Sequence, residues 1–315
     1  KVKAKAYKAK ERNGLIWIYM SSKKKAPPLP NLEACLVPEK ELDDYRFVMR
    51  ECNWLQVLEG DIDTSHLSFL HFGGVERGDF NRGHKSREVV GLRAPEYKVE
   101  DTDFGVSYGA YRPADNGEIN WRIAHFLFPF WAIPPSSPLT ENVMARAWVP
   151  MDDHHTMFIH VGRTGSMGVL PVKSPIEMQQ FAGLSLIDNH LPDATDWYGR
   201  ARLVENEGND YNIDWAVQKH YSYTGIEGIH VQDQAASESM SPITDHAFEH
   251  LAPSDIMVTR TRRRIVRAAK ALKKDGKAPP GSTKPKVFNV RGGSFTAPEG
   301  ENGLKTYRDW VKPIT

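Results

Sequence analysis

The sequence has little cysteine: Cys35 and Cys52 are the only two among 315 residues. Two thiols cannot form a disulfide framework, a four-cysteine zinc site or an iron–sulfur cluster held by cysteines alone. We therefore expect a protein of the reducing cytoplasm whose fold does not depend on cross-links.

An excess of one charge and a long apolar run are also lacking. The 41 basic and 40 acidic side chains leave a formal net charge of +1, which argues against nucleic-acid binding driven by bulk charge. The longest nearly apolar run, from Ile123 to Ile133, is interrupted by His125 and is too short to span a bilayer. No apolar segment with a small-residue cleavage site opens the sequence, so we do not expect export. The composition predicts a globular protein without nucleic-acid or membrane partners.

The hydrophobic pattern indicates antiparallel strands combined with helices. The predicted strands are 14–20, 89–92, 97–111, 119–131, 145–149 and 157–161. The predicted helices are 50–71, 214–223, 226–238 and 254–274, while 171–212 has an irregular pattern. The tripeptide Asp115-Asn116-Gly117 predicts a hairpin turn. This order predicts an α+β fold in which helices cover one face of an antiparallel sheet.

A candidate metal site is the pattern Asp63-x-x-His66-x-x-x-x-His71, near the end of the predicted helix 50–71. Two imidazoles and a carboxylate are the ligands of non-haem Fe(II) oxygenases, although imidazoles also suit Zn, Cu and Ni. On a regular helix His66 and His71 would point about 140° apart, so both can face one metal only if the last turn is distorted. Spacing alone leaves open two histidines that make ordinary polar contacts.

The same spacing recurs at Asp152-x-x-His155-x-x-x-x-His160. This copy lies in a turn and a strand, where residues five apart point to opposite faces, so we do not expect it to bind metal. Two other classes of function remain open. One is a zinc hydrolase that uses His66 and His71, although no glutamate base stands beside the first histidine. The other is a metal-free module that binds a hydrophobic ligand between a sheet and a helix.

The region 260–286 is strongly basic. It holds eleven Lys or Arg and a single acid, Asp275, which is typical of a solvated helix face followed by an exposed segment. A docking surface for an acidic redox partner is the alternative. A nucleic-acid site is not favoured, because no aromatic side chains alternate with the charges.

The stretch from Cys52 to His71, CNWLQVLEGDIDTSHLSFLH, resembles the iron-binding helix of Rieske non-haem iron ring-hydroxylating oxygenases. It is most similar to the catalytic α subunits of the phthalate dioxygenase-like branch. Three further stretches agree in family order: 14–30, 119–135 and 228–264. The resemblance covers nearly the whole chain. It implies the helix-grip-like catalytic domain of that family, an antiparallel β-sheet wrapped around a long helix.

The resemblance also implies residue roles. His66, His71 and Asp233 are expected as the Fe(II) ligands. Asp63 corresponds to the family's bridging aspartate, a catalytic residue that links an iron-ligand histidine to the Rieske histidine of a neighbouring subunit. A carboxylate three residues before a ligand can accept the second N–H of the imidazole and fix its tautomer. Without the resemblance, Asp233 would be one acid among forty.

One family feature is missing, because no Cys-x-His or Cys-x-x-His pair that could hold a Rieske [2Fe–2S] cluster occurs. We expect that cluster in an N-terminal domain of the full-length protein. Residues 1–30 are accordingly interpreted as a remnant strand and connector from the absent Rieske domain. Residues 31–290 are interpreted as the catalytic mononuclear-iron domain, and 291–315 as a C-terminal tail.

The activity implied by the resemblance is the use of O₂ to hydroxylate or dihydroxylate an aromatic substrate, expected to be a phthalate- or benzoate-like acid. Aryl O-demethylation or monooxygenation is the alternative. Arg93 and Arg122, on predicted strands, are candidates for a bidentate contact with the carboxylate. Phe126 and Phe128 share a strand face with Arg122 and are candidates for an apolar slot, although a place in the sheet core explains them equally.

Partners are implied as well. An NAD(P)H-dependent flavin/iron–sulfur reductase is expected to supply electrons. A homotrimer or stacked trimers are expected, because in this family the cluster of one subunit serves the iron of the next.

Overall fold

A single antiparallel sheet, called here the central sheet, dominates the computed structural model, which describes residues 4–20, 25–43, 45–80, 86–165, 186 and 188–311. The strands are β1 Lys8–Arg12, β2 Leu15–Tyr19, β3 Arg46–Arg50, β4 Glu96–Asp101, β5 Gly105–Pro113, β6 Glu118–Leu127, β7 Trp131–Ile133, β8 Met144–Pro150, β9 Thr156–Gly162 and β10 Gly293–Pro298. The central sheet has the order β3-β9-β8-β7-β6-β5-β4, and β10 also pairs with β6. Strands β1 and β2 form a separate hairpin.

Six α-helices accompany the strands in the described part of the chain. They are α1 Trp54–Ile62, α2 Arg87–Gly91, α3 Trp215–His220, α4 Ile229–Glu238, α5 Ile256–Asp275 and α6 Gly303–Val311. The main core joins Leu58 of α1, Val231 of α4 and Met257 of α5 to the inner face of the sheet, where Tyr108 and Phe126 lie. The predicted α+β fold, with an antiparallel sheet wrapped around helices, is confirmed.

The hairpin turn between β5 and β6 forms as the sequence predicts. Asn116 has φ +62° and Gly117 has φ +72°. Two consecutive left-handed residues match the twist of an antiparallel hairpin, and Asn and Gly tolerate that conformation better than other residues. The turn fixes the register of β5 and β6, in which Ala110 lies opposite Arg122.

The predicted helix 50–71 is wrong as a continuous element. Its first residue, Arg50, ends β3, and α1 begins only after Asn53, whose side chain accepts a hydrogen bond from the Leu55 amide. The helix stops at Ile62 because Asp63 adopts an extended conformation, with φ −101° and ψ 108°. A separate π-helical turn follows at Leu67–His71. Short polar side chains such as Asp bind nearby backbone amides and so compete with helical bonding.

Other predicted elements also need correction. The predicted strand 89–92 is occupied by α2, and the predicted strand 97–111 is the β4–β5 hairpin. The predicted strand 14–20 is the second strand of a hairpin, because β2 pairs with β1, and its Trp17 stacks on Trp131 with ring centroids 6.0 Å apart. In the predicted irregular stretch 171–212, residues 171–185 and 187 lie outside the described residues.

The interpretation of 291–315 as a tail is wrong for the residues of β10 and α6. Strand β10 pairs with the first half of β6, while β7 pairs with the last residues of the same edge. Phe295, Leu304 and Tyr307 pack in a hydrophobic cluster with Trp121. This segment therefore belongs to the folded core.

The basic helix α5 is bound to the rest of the fold by ion pairs. Its arginines contact acids on other elements: Arg262 pairs with Glu59 and Glu249, and both Arg260 and Arg264 pair with Asp101. Because their charges are paired within the chain, these arginines stabilise the fold without a partner protein. None of the helices in the described ranges has the length and apolar character needed to cross a membrane.

Candidate metal centre

The π-helical turn Leu67–His71 explains how two histidines five residues apart can face one point. The Phe72 amide donates to the Leu67 carbonyl over 3.1 Å, the i→i+5 bond that defines a π turn. Such a turn brings residues five apart nearly above one another, whereas an α-helix separates them widely. The ring centroids of His66 and His71 are 5.1 Å apart. The distortion that the spacing requires is present.

Helix α4 brings Asp233 to the same two imidazoles. Its Oδ1 lies 3.1 Å from Nε2 of His71 and 3.6 Å from Nε2 of His66. One ligand atom from each residue lies within 4.8 Å of the others. Across the ranges that the structure describes, this is the one group of His, Cys, Asp or Glu side chains found close enough to share a metal ion.

Both imidazoles are oriented through their other nitrogen. Nδ1 of His66 lies 2.5 Å from the backbone carbonyl of Asp63. Nδ1 of His71 lies 2.7 Å from Oε1 of Gln232. Because both acceptors are oxygens, each Nδ1 can donate its proton to them, and each Nε2, which faces Asp233, is then the nitrogen available to a metal. This is the tautomer that metal binding requires.

The carboxylate of Asp63 has a different role from the one expected from spacing. Its two oxygens accept hydrogen bonds from the amides of Ser65, at 2.7 Å, and His66, at 3.0 Å. The carboxylate lies 3.7 Å from Nδ1 of His66, farther than the backbone carbonyl of the same residue. The expectation that the side chain orients the imidazole is therefore wrong, since the side chain caps the turn and the main chain of Asp63 orients the ring.

Electrostatics favour an anionic Asp233. Burial by itself would raise the pKa of this carboxyl, but His71 and His66 beside it hold the pKa well below its usual range. Burial opposes a charge on His71, yet the neighbouring Asp233 and its hydrogen bond raise the pKa of that imidazole. A carboxylate kept ionised against two imidazoles is a donor set suited to a cation.

The donor set fits a mononuclear non-haem iron. Two histidines and one carboxylate on a single side of a cavity form the facial triad, which leaves coordination positions open. The chain does not fit a Rieske cluster. Cys52 and Cys35 are buried in two different hydrophobic clusters, and a Rieske centre needs two Cys and two His together.

A cavity of about 140 Å³ opens beside the three ligands. Its lining includes polar groups of the central sheet and of the turn after α1, namely Thr64, Tyr108 and Arg122. A second cavity, of about 360 Å³, also borders His66 and Asp233. Two cavities therefore adjoin the candidate metal centre.

Of the four predicted substrate-binding residues, the structure brings only Arg122 to the first cavity. Its Nε donates to Oγ1 of Thr64 over 2.8 Å, and the side chain is 9% exposed. Arg122 forms no ion pair with any residue in the described part of the chain. Burial lowers the pKa of this guanidinium, an effect that Tyr108 and Tyr97 partly offset.

Arg93 is placed elsewhere. It lies on no strand, and its guanidinium donates hydrogen bonds to the carbonyls of Ser68, Phe72 and Val75. It thereby holds the carbonyl end of the π-helical turn. Its assignment to a strand of the sheet is wrong because Arg93 lies in the bend between the end of α2 at Gly91 and the start of β4 at Glu96.

Phe126 and Phe128 lie in the main core and do not border either cavity among the described residues. Their rings contact each other at 5.0 Å in an edge-to-face arrangement. The sheet core is thus the explanation that the structure favours for both. The face shared by Phe126 and Arg122 is the inner one, as alternation along β6 predicts.

The structure adds residues that the sequence did not reveal. Gln232 orients His71, and Tyr108 has a buried hydroxyl beside Thr64 at the first cavity. Asp61 accepts hydrogen bonds from Arg146 and, over 2.6 Å, from Nε1 of Trp148. Of these residues, only Tyr108 had a signal in the sequence. In the β5–β6 register it lies two positions from Ala110, the residue opposite Arg122.

The second copy of the histidine spacing does not form a site. His155 stacks on Tyr198 and contacts Asp152, whereas His160 is buried in β9.

Comparison with known proteins gives a family. A family model described as "LigXa C-terminal domain like" matches residues 18–298. The 3-chlorobenzoate-3,4-dioxygenase oxygenase subunit of Comamonas testosteroni is 42% identical, over 99% of this chain and 73% of that protein. The phthalate 4,5-dioxygenase oxygenase subunit of Pseudomonas putida is 31% identical, over 86% of this chain and 61% of that protein. The tert-butanol monooxygenase / tert-amyl alcohol desaturase oxygenase subunit of Aquincola tertiaricarbonis is 26% identical, over 96% and 60%.

The fold is an antiparallel sheet packed against helices, and it presents a group of two histidines and one carboxylate. Together with these matches, the fold and the group define an oxygenase subunit. The chain belongs to the LigXa C-terminal domain like family, the catalytic domain of Rieske oxygenases. The predicted resemblance and the prediction of an oxidoreductase are confirmed. The chain spans less than two thirds of the phthalate dioxygenase subunit that it matches.

Proposed function

We propose that this chain is the catalytic part of an oxygenase that uses a mononuclear Fe(II) and O₂ to hydroxylate or dihydroxylate a single-ring aromatic carboxylate. One observation carries the proposal: the cavity beside His66, His71 and Asp233 also contains Arg122, a buried arginine without an acidic partner in the described ranges. A metal-binding group and an anion-binding group thus share one small space.

In this proposal His66, His71 and Asp233 hold the iron. When bound, Fe(II) supplies open coordination positions on one face where O₂ can bind. The residues of the chain keep the ligands in order. The Asp63 carbonyl and Gln232 hold the two imidazoles in the tautomer with the proton on Nδ1.

The size of the cavity supports a single-ring substrate. An engineered protein cavity of about 150 Å³ is large enough for benzene, and the cavity here measures about 140 Å³. A benzoate-sized ring fits this scale. The boundaries of the cavity include Leu67 and Phe72, which offer apolar contact to a ring.

Arg122 would bind the substrate carboxylate. Burying a guanidinium without a counter-charge is costly, and an incoming carboxylate offsets that cost by forming charge-assisted hydrogen bonds. Burial keeps the Tyr108 hydroxyl protonated by raising its pKa, so that hydroxyl can act as a second donor. The names of two relatives, 3-chlorobenzoate-3,4-dioxygenase and phthalate 4,5-dioxygenase, are consistent with an aromatic acid.

Electrons would come from outside this chain. The relatives are named oxygenase subunits, which implies other components, and we assign that role to an NAD(P)H-dependent reductase acting through a Rieske [2Fe–2S] cluster. Asp63, which borders both cavities, is proposed to link the iron site to the cluster of a neighbouring subunit in a homotrimer or stacked trimers. A cytoplasmic location suits a reductase that draws on NADH.

The test combines iron content with a reaction that needs no reductase. Hydrogen peroxide carries two oxygen atoms and the two electrons that a reductase would supply, so benzoate and H₂O₂ together contain all the atoms of a cis-dihydrodiol. We expect about one iron per chain after anaerobic reconstitution and an oxygenated product from benzoate. A phenolic product with release of water would indicate monooxygenation instead.

Two histidine variants provide a matched comparison. His66→Ala should lose both iron and product, whereas His155→Ala, which occupies the corresponding place in the second copy of the spacing, should keep both. Reconstituted protein that holds no iron would contradict the proposal and favour a metal-free ligand-binding module. Tightly held zinc without oxygenation would favour a hydrolase.

A further inference from the structure

Helix α4 contributes a second residue to the metal centre besides Asp233. Gln232, which directly precedes Asp233, is 1% exposed and contacts His71. Two adjacent residues of α4 therefore contact opposite nitrogens of one imidazole. Oε1 of Gln232 lies 2.7 Å from Nδ1, and Oδ1 of Asp233 lies 3.1 Å from Nε2. The orientation of His71 is therefore determined almost entirely by α4.

The amide of Gln232 is itself fixed. Its Nε2 donates to the backbone carbonyl of Ile226 over 2.8 Å, in the loop that precedes α4. That contact identifies the nitrogen end of the amide, so the oxygen end faces His71 and can only accept. Because Ile226 is buried in the main core, Gln232 connects the ligand histidine to a rigid part of the fold.

The two ligand histidines are held by different kinds of group. His66 donates its Nδ1 proton to a main-chain carbonyl only three residues away, whereas His71 donates to a side chain from another helix. A main-chain acceptor cannot be removed by substitution. The acceptor of His71 can be, which makes its contribution measurable.

Resting on the metal centre of the proposed function, we infer that Gln232 is a positioning residue that fixes the tautomer and ring orientation of His71 and thereby tightens metal binding. The residue does not touch the reacting atoms. Hydrogen-bond partners of metal-ligating histidines typically change metal affinity by 10–100-fold when they are removed. A change of that size is expected here.

The experiment uses Co(II), whose visible spectrum reports ligand geometry. Gln232→Met keeps the length of the side chain but cannot accept the Nδ1 proton, so Co(II) affinity should fall by about 10–100-fold and the d–d bands should shift. Gln232→Glu keeps an acceptor oxygen for His71 but loses the donor to the Ile226 carbonyl, so it should lose less Co(II) affinity than Gln232→Met. In proton NMR of the Co(II) form, the exchangeable, strongly shifted Nδ1 proton of His71 should exchange faster with solvent in Gln232→Met.

Gln234 supplies the matched control. It is a buried amide on the same helix, but it contacts Arg50 and Glu205 rather than a ligand. Gln234→Met should lose stability to a similar extent while keeping Co(II) affinity and spectrum. Equal Co(II) affinity in Gln232→Met and the unaltered chain would overturn the inference and leave the proposed function intact. An unaltered chain that binds no Co(II) would overturn both.

Discussion

Arg122 is joined to Thr64 by a hydrogen bond of 2.8 Å from Nε to Oγ1. This contact connects the middle of β6 with the residue that follows Asp63, at the start of the ligand-bearing turn. It also holds the guanidinium at the wall of the cavity. The guanidinium proposed to anchor a substrate is thereby placed in a fixed relation to the proposed metal ligands.

Replacement of Arg122 should weaken the binding of an aromatic acid. Charge-assisted hydrogen bonds contribute roughly 1.5–3 kcal/mol, so Arg122→Gln should raise the Kd of benzoate by about 10–100-fold. Titration calorimetry measures this directly. Arg308→Gln, at an exposed ion pair with Glu100, is the control and should leave the Kd unchanged. Unchanged benzoate binding in Arg122→Gln would contradict the proposal that Arg122 binds a substrate carboxylate.

Asp63 can be altered without loss of the metal ligands. Asp63→Asn keeps an oxygen that can accept from the Ser65 amide, and the carbonyl that orients His66 belongs to the main chain. We expect Asp63→Asn to retain iron. Asp63→Ala should cost about 1 kcal/mol of unfolding free energy through loss of the cap.

Iron analysis and urea denaturation test these two variants. If the bridging role holds, the full-length enzyme with Asp63→Asn should also fail to turn over with its reductase. Full reductase-driven activity in Asp63→Asn would refute that role, and loss of iron would show that the carboxylate itself supports the ligands.

The glycine after the π-helical turn is predicted to be intolerant of a side chain. A Cβ at Gly74 would overlap the backbone carbonyl of Tyr221, whereas a Cβ at Gly78 would meet nothing within 4 Å. Gly74→Ala should therefore destabilise the protein by about 1–3 kcal/mol or more, because backbone must move to relieve the overlap. Since His71 is three residues away, Co(II) affinity should fall as well. Gly78→Ala should match the unaltered chain in urea denaturation, and equal midpoints for both variants would contradict this packing.

His125 should make stability depend on pH. This imidazole is 1% exposed and contacts Ser107, Tyr307 and the Arg291 carbonyl. Burial lowers its pKa to about 4, against about 6.5 in the unfolded chain. As the pH falls from 6.5 to 4 the unfolded state takes up a proton that the folded state excludes, so stability is lost across this window and the loss levels off below pH 4.

The size of this effect follows from the difference between the two pKa values. It amounts to about 3 kcal/mol. The glutamine in His125→Gln cannot titrate. Between pH 7 and pH 4 the unfolding free energy of this variant should therefore fall by about 3 kcal/mol less than that of the unaltered chain. Urea denaturation at several pH values measures both slopes. Parallel slopes would show that His125 does not carry the effect.

Sequence reasoning reached the sheet and the ligand group by different routes. Alternation and the Asn116-Gly117 turn predicted the β5–β6 hairpin because they are local signals. The spacing of His66 and His71 indicated a distorted turn, but helical periodicity could not locate the break at Asp63, where a side chain displaces helical bonding. Asp233 came from family resemblance alone, since no local pattern connects it to a turn so far away in sequence.

The remaining errors arose where tertiary contacts decide the outcome. Arg93 and Phe126 were predicted as site residues because arginine and phenylalanine suit an aromatic acid. In the structure Arg93 donates to three backbone carbonyls, and Phe126 packs in the main core. Gln232 was missed because an amide gives no sign of its partner until the fold brings His71 beside it. The segment after 290 lacked a long apolar run, although pairing with β6 orders it.

The ligand group also closes a very large loop, since 162 positions separate His71 from Asp233 on α4. An ion bound by the turn and by the helix would act as a cross-link between two distant parts of the chain. Such a link restricts the unfolded ensemble, and the loss of entropy grows with the length of the loop. Metal binding should therefore raise the denaturant concentration at which the chain unfolds and make unfolding more cooperative. The turn and the helix should then separate in a single step instead of in succession.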